Sequence, residues 1–198
     1  PANHRAVRHE SQALQTIRVH YEKTGYIRFI SHLDCMRLFD RALRRAEIPA
    51  AYSSGYNPRP KLSFSPALSL GYTSSAEYFD LELLESCGDD LKERLNKVLP
   101  EGLTILEIRI ISKKVPSLQS SITTLVYQVN LENNTVQQSA LYNLSNQPDI
   151  FISRFNKGKE QSIDIKPFIE SISAHDGLLK IQLNSQQGKT ARVEDILG

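Results

Sequence analysis

Apolar and polar positions alternate with a period of two through residues 15–22, QTIRVHYE, where Ile17, Val19 and Tyr21 are set against Arg18 and His20. That spacing predicts a half-buried strand with His20 on its outer side. Beyond a KTG turn the period lengthens. Ser31 precedes Asp34 by three positions, a capping-box-like start for a helix over 32–46. On that helix Met36, Phe39, Ala42, Leu43 and Ala46 gather on one face, and Arg37, Arg41, Arg44 and Arg45 on the other. Pro49 stops it.

AAYS then suits a short strand, and SSGYNPRP is dense in turn-forming residues. Lys61 to Ser75 is less regular. Alternation resumes in AEYFDLELLE, with Tyr78, Asp80 and Glu82 on one side and Phe79, Leu81 and Leu83 on the other. Gly88 or Asp89 opens a helix through Leu99, with a stripe of Leu91, Leu95, Val98 and Leu99, and LTILEIRII at 103–111 closes as a strand. The order is β-α-β-β-α-β, the ferredoxin-like pattern.

The second half reads as the same pattern in weaker form. Strands are expected at 124–131, 150–155, 161–166 and 178–184, and helices near 135–146, 167–173 and 192–197. Turns fall at 156–159 and at Asp176–Gly177. The expected fold class is therefore α+β, with tandem ferredoxin-like units and antiparallel sheets. Residues 1–14 form a tail, 15–112 the first unit, 113–121 (KKVPSLQSS) the joint and 122–198 the second unit.

Composition narrows the class. With 198 residues, 40% of them hydrophobic, the chain has enough apolar material for one sizeable core or two small ones. No apolar run approaches the roughly 20 residues of a membrane helix, and no signal-peptide pattern opens the chain, so the expected compartment is the cytoplasm. The opening PANHRAVRHESQALQ carries little apolar content and no initiator Met, and reads as a linker from a longer chain. Cys35 and Cys87 are the two cysteines, each without Cys or His at metal-ligand spacing. No metal site and no resident cofactor is expected in this segment. Cys35 reads as a packed small hydrophobe.

Net charge is +2, but it is unevenly spread. Between 28 and 61, Arg28, Arg37, Arg41, Arg44, Arg45, Arg59 and Lys61 face Asp34, Asp40 and Glu47. Between 76 and 107 acidic residues predominate.

Candidate chemistry follows that unevenness. The arginine stripe Arg37, Arg41, Arg44 and Arg45 is either a solvated helix face or a surface for phosphate or an acidic partner, because guanidinium groups fork onto phosphates and stack on bases. In the loop 52–61, prolines limit backbone freedom and hold Tyr52, Tyr56, Asn57, Arg59 and Lys61 ready for a ligand. The alternative there is a rigid turn covering a sheet edge. Arg154, Lys157 and Lys159 surround a glycine turn, and Lys189 and Arg192 follow Gly188. These either extend a basic groove or belong to ordinary hairpins, and GKT at 188–190 is not a complete phosphate loop. His32 is the candidate general base, set against a packed histidine bonded to backbone. Asp34 reads as a cap.

The run FISHLDCMRLFDRALRRAEIPAAYSSGYNPRPKLSF, residues 29–64, resembles the signature of a bacterial domain of unknown function found fused to, or encoded beside, radical SAM proteins. The likeness spans about 16–198 and is marked again in FNKGKEQSIDIKPFI and GKTARVEDIL. Cys35, Tyr56 and Val193 depart mildly from the pattern. The resemblance implies a radical SAM protein or domain as partner, with the iron–sulfur cluster and S-adenosylmethionine held there, and a setting near RNA processing and ribosome function. It supplies no activity.

The leading expectation is thus an accessory domain, without a catalytic centre of its own, that binds RNA or an RNA-bearing substrate through the basic helix and loop. A protein–protein docking module for the radical SAM partner is the second reading. A metal-independent ribonuclease using His32 is the third, by fold analogy.

Overall fold

The computed structural model describes residues 13–54, 56–112, 115–131, 141, 143–144, 146–156, 158–186 and 189–197. Residues 1–12 of the tail expected at 1–14, and most of the helix expected near 135–146, lie outside the described residues, although 141, 143–144 and 146 are helical. The chain divides between Gln119 and Ser120 into two compact units.

In the first unit the strand β1 (Gln15–Lys23) turns Ile17, Val19 and Tyr21 inward, as the period of two requires. It is followed by α1 (His32–Arg45), β2 (Leu62–Phe64), β3 (Ser74–Leu83), α2 (Leu91–Val98) and β4 (Leu103–Ile111). The sheet order is β2-β3-β1-β4 with every neighbouring pair antiparallel, a ferredoxin-like arrangement. Register sets Ile17 opposite Leu81 and Val19 opposite Phe79, so the inward residues of both strands share one face. Phe39, Leu43, Leu91 and Leu95 of the helices close over that face. Phe39 is central: its ring meets Tyr21 edge-on at 4.9 Å, Phe79 at 4.8 Å and Phe64 at 5.9 Å. Each such buried ring contributes about 1.5–3 kcal/mol through lost water contact.

Local chemistry fixes the ends of α1. The Ser31 side chain accepts the Asp34 backbone N–H at 3.1 Å, filling a donor the helix leaves unpaired. At the other end Glu47 takes φ 53°, a left-handed conformation usually left to glycine. Arg94 of α2 holds that end, donating to the carbonyls of Ala46 at 2.7 Å and Glu47 at 2.9 Å. Gly102, at φ 89°, admits no side chain, because a Cβ there would lie 2.6 Å from the Thr24 carbonyl oxygen.

The edge strand beside β3 is interrupted. Leu84 N–H donates to Pro49 O and Ala51 N–H to Glu82 O, each at 2.8 Å, while Glu82 N–H donates to Lys61 O at 3.2 Å. Ala50 bridges Leu83, and Leu62 pairs with Leu81. Residues 49–51 and 61–64 therefore occupy consecutive rungs along β3, and the segment 52–60 departs from the sheet and returns. Its base is tied by Lys61 N–H to Ala51 O at 2.8 Å, by Ser53 N–H to Arg59 O at 2.9 Å and by the bridge between Tyr52 and Pro60.

The second unit contains β5 (Thr124–Asn130), β6 (Phe151–Asn156), β7 (Lys159–Asp164), β8 (Ile169–His175), β9 (Leu178–Asn184) and a helical turn at Glu194–Leu197. Its sheets are β5-β9-β8 and the hairpin β6-β7. Central β9 buries Leu179, Ile181 and Leu183. The β8–β9 turn uses Asp176 at φ 49° and Gly177 at φ 74°, the pair of left-handed residues that a two-residue hairpin favours.

This unit corrects the expected second ferredoxin-like repeat. Where a helix was expected at 167–173, a short 3-10 turn, Lys166–Phe168, gives way to β8. Pro167 suits the first turn of such a helix, but Ile172 and Ala174 then alternate with Ser171 and Ser173 as a strand. Among the described residues the order is strand, helical segment, two strands, 3-10 turn, two strands and helical turn, so a full duplication of the first unit's pattern is not borne out. Among the described residues, no helix is long and apolar enough to cross a membrane.

Candidate functional site

The amphipathic period of α1 places its arginines away from the core, and all four line one groove. Arg37, Arg41, Arg44 and Arg45 surround about 700 Å³ together with Asp34, Ile30, Leu38 and Pro100. Ile30, Leu38 and Pro100 give the groove apolar surface, and guanidinium groups provide most of its charge.

The arginines are not equivalent. Arg37 pairs with Asp34 at 2.9 Å and Arg44 with Asp40 at 2.9 Å. The Ser31 hydroxyl and the Arg37 guanidinium hold the Asp34 carboxyl below its ordinary value. Both arginines are exposed, Arg37 at 60% and Arg44 at 55%, although Asp40 is half-buried, and ion pairs of exposed arginines exchange readily with other anions. Arg45 donates to the Val98 carbonyl, which ties α1 to the end of α2. Arg41 is exposed and makes no ion pair among the described residues.

Arg44 also joins the helix to the loop. Its guanidinium lies over the Tyr52 ring, 5.5 Å from the centroid. Farther out, Tyr56 is 99% exposed, and Asn57 and Arg59 are exposed with it. Lys61 is drawn back, with Nζ 3.4 Å from Glu82 on β3. The β2–β3 register sets that pair, which places Lys61 at the base of the loop rather than on its outer surface.

His32 is half-buried and stands edge-on to Phe64, with ring centroids 5.6 Å apart. Burial lowers its pKa, and Lys23 adds to the effect. The imidazole is therefore biased toward its neutral form.

In the second unit Arg154 pairs with Asp195 in a partly buried contact, and Asp195 also accepts the Arg192 backbone N–H at 3.1 Å. The Arg154 guanidinium thus closes the helical turn onto the β6-β7 hairpin. Lys159 opens β7 and is exposed; Lys189 bridges Gln186 through backbone; the Arg192 side chain is exposed. Lys157 lies outside the described residues.

Two features were missed in the sequence. The 3-10 turn Gly25–Phe29, directly before the Ser31 cap, leaves Tyr26 92% exposed and Phe29 55% exposed. Arg28 lies 4.8 Å over the Phe29 ring, and Leu33 and Leu70 are exposed as well. No periodicity marks these residues, so their exposure has no linear signal. The second is buried Lys23, whose Nζ donates to the Ile30 carbonyl at 3.1 Å. Near it the Ser65 hydroxyl lies 3.5 Å from the Glu77 carboxylate. A Lys in a strand that is otherwise half polar carries no burial signal.

Taken together, the first unit presents a groove with apolar walls and arginine sides, joined through Arg44 and Tyr52 to an exposed loop. Such a surface suits an anionic ligand with flat apolar parts. No curated protein shows significant similarity to the chain. Over residues 16–194 it matches the profile of a family described as uncharacterized protein conserved in bacteria, DUF2344, and the chain belongs to that family.

Proposed function

We propose that this chain is an accessory binding module that holds RNA, or a substrate carrying RNA, on the arginine face of α1 and the adjoining loop. The observation that carries the reading is the convergence of four arginines on one groove, with Arg44 over Tyr52. Guanidinium forks match phosphate oxygens, and their planes stack on bases. The guanidinium groups of Arg37 and Arg44 are exposed, and the Arg37–Asp34 pair, exposed on both sides, gives way to phosphate at little cost. The likeness of residues 29–64 to a radical-SAM-associated domain supports a further step, in which the module presents its ligand to a radical SAM partner that supplies the chemistry.

The test is binding of labelled RNA as a function of salt. Contact of about three phosphates with an unpaired strand gives a slope near −2 in log affinity against log salt. Arg41→Glu lowers affinity several-fold and flattens the slope. Affinity unchanged in Arg41→Glu overturns the reading. Co-purification of a partner protein that survives nuclease treatment, with no RNA bound, favours docking instead.

A further inference from the structure

We infer that the strand held by this surface is unpaired, with bases stacking on Tyr26 and Phe29 while its phosphates follow Arg37 and Arg41. This inference rests on the RNA-binding reading and specifies its ligand. The 3-10 turn Gly25–Phe29 ends two residues before the cap of α1, so the exposed rings stand at the start of the helix that carries the arginines. Leu33, exposed in the first turn, is followed one turn later by Arg37 and then by Arg41, which continues the line from apolar to basic surface. Fourteen helical residues extend about 20 Å, enough for several nucleotides.

The exposed rings decide between strand types. Large apolar side chains clustered on a surface mark a site of contact. Tyr26 is 92% and Phe29 55% exposed, and the cationic Arg28 lies 4.8 Å from the centroid of the Phe29 ring. A duplex presents phosphates to a protein and keeps the faces of its bases stacked inside, so it has no use for exposed rings. An unpaired strand offers each base face to an aromatic side chain and its phosphates to nearby cations. Rings at the start of the helix, followed by guanidinium groups along it, fit the second ligand. A basic helix alone does not distinguish the two.

The experiment compares a fluorescein-labelled, unstructured RNA 12-mer with a 12-base-pair RNA duplex by anisotropy, using the full chain. The unpaired strand is expected to bind at least about tenfold more tightly. Tyr26→Ala and Phe29→Ala are each expected to weaken it by roughly 5- to 100-fold, the range for loss of one base–ring stack, and to leave the duplex unchanged. Tyr26 is almost fully exposed, so its variant keeps the fold, and Tyr26→Phe retains binding. A 2-aminopurine placed in the strand is quenched by wild type and recovers in the ring variants.

Equal affinity for duplex and single strand, or ring variants that bind the strand like wild type, overturns the inference. If Arg41→Glu still weakens both ligands, the RNA-binding reading stands without it. If Arg41→Glu changes neither, both fall. Ring variants that leave the strand bound but release a co-purifying protein assign the platform to protein docking and likewise overturn the inference.

Discussion

The side chain of Asn96 pairs with the backbone of Ile105 as a neighbouring strand would: Ile105 N–H donates to Oδ1 at 2.7 Å, and Nδ2 donates to the Ile105 carbonyl at 3.1 Å. Ile105 lies on β4, the outer strand of the first sheet. Among the described residues its outward groups have no further strand to meet, and α2 supplies the substitute. Asn96→Ala leaves both partly buried groups unpaired, and urea unfolding is expected to show a loss of about 1–3 kcal/mol. Asn96→Asp keeps the acceptor and loses the donor, so its loss is smaller at low pH than at neutral pH.

Lys23 and Glu77 give a second expectation. Burial pushes the Glu77 carboxyl up from its ordinary value, and the Ser74 hydroxyl, the Lys23 ammonium and the Ser65 hydroxyl hold it back. A raised carboxyl binds its proton more tightly folded than unfolded. Its stabilising contribution is therefore present below the ordinary value of 4.5 and is lost as pH rises through the folded pKa. Lys23→Met removes the cation and raises Glu77 further. The variant is expected to lose about 1–3 kcal/mol at neutral pH, with a smaller deficit in acid. Adding Glu77→Gln restores part of the loss, as denaturation at two pH values will report.

His32 has the opposite sign. Its folded pKa lies below the ordinary 6.5, first through burial and then through Lys23. The stabilising contribution is complete above 6.5 and is lost as pH falls through the folded pKa, because the unfolded chain takes up the proton first. Thermal melts of wild type should decline across that interval, and His32→Gln should flatten the decline. A steeper decline in the variant would show that another group controls the acid limb.

Arg154 and Asp195 separate stability from binding in the second unit. Their pair is partly buried, and Asp195 also accepts the Arg192 backbone N–H. Asp195→Ala is expected to lower the unfolding midpoint of the second unit, since it strands the guanidinium. Affinity for RNA, measured on the folded variant, should stay within about twofold, because the phosphate contacts of the proposed surface come from the arginines of α1 in the first unit.

These residues also mark how far the linear sequence reaches. The stripe of α1 was legible because a helix repeats every 3.6 residues, and 14 residues hold enough turns to separate Phe39 and Leu43 from the arginines. The strand 103–111 and the Asp176–Gly177 turn were legible for equally local reasons. The groove was legible only on one side. Its arginines lie in one helix, whereas Pro100 reaches it through the packing of α2 beside α1. Lys61 appeared in the sequence as part of an exposed loop, but β2–β3 register delivers Glu82 to it. In the second unit Pro167 imitated a helix start, and the strand after it was set by pairing of Ile172 with Ile181 on β9. Propensity yields to partners that lie far along the chain.

The break in the edge strand has a consequence for how this surface can change. Both feet of the 52–60 segment stand on neighbouring rungs of the same strand, so residues added at its far end shift no pairing in the sheet and lengthen a closed loop at small entropic cost. The frame and the tip are thereby uncoupled. Variants with longer tips or tips of different composition can be accommodated on one unaltered scaffold, while folding stays under the control of the core.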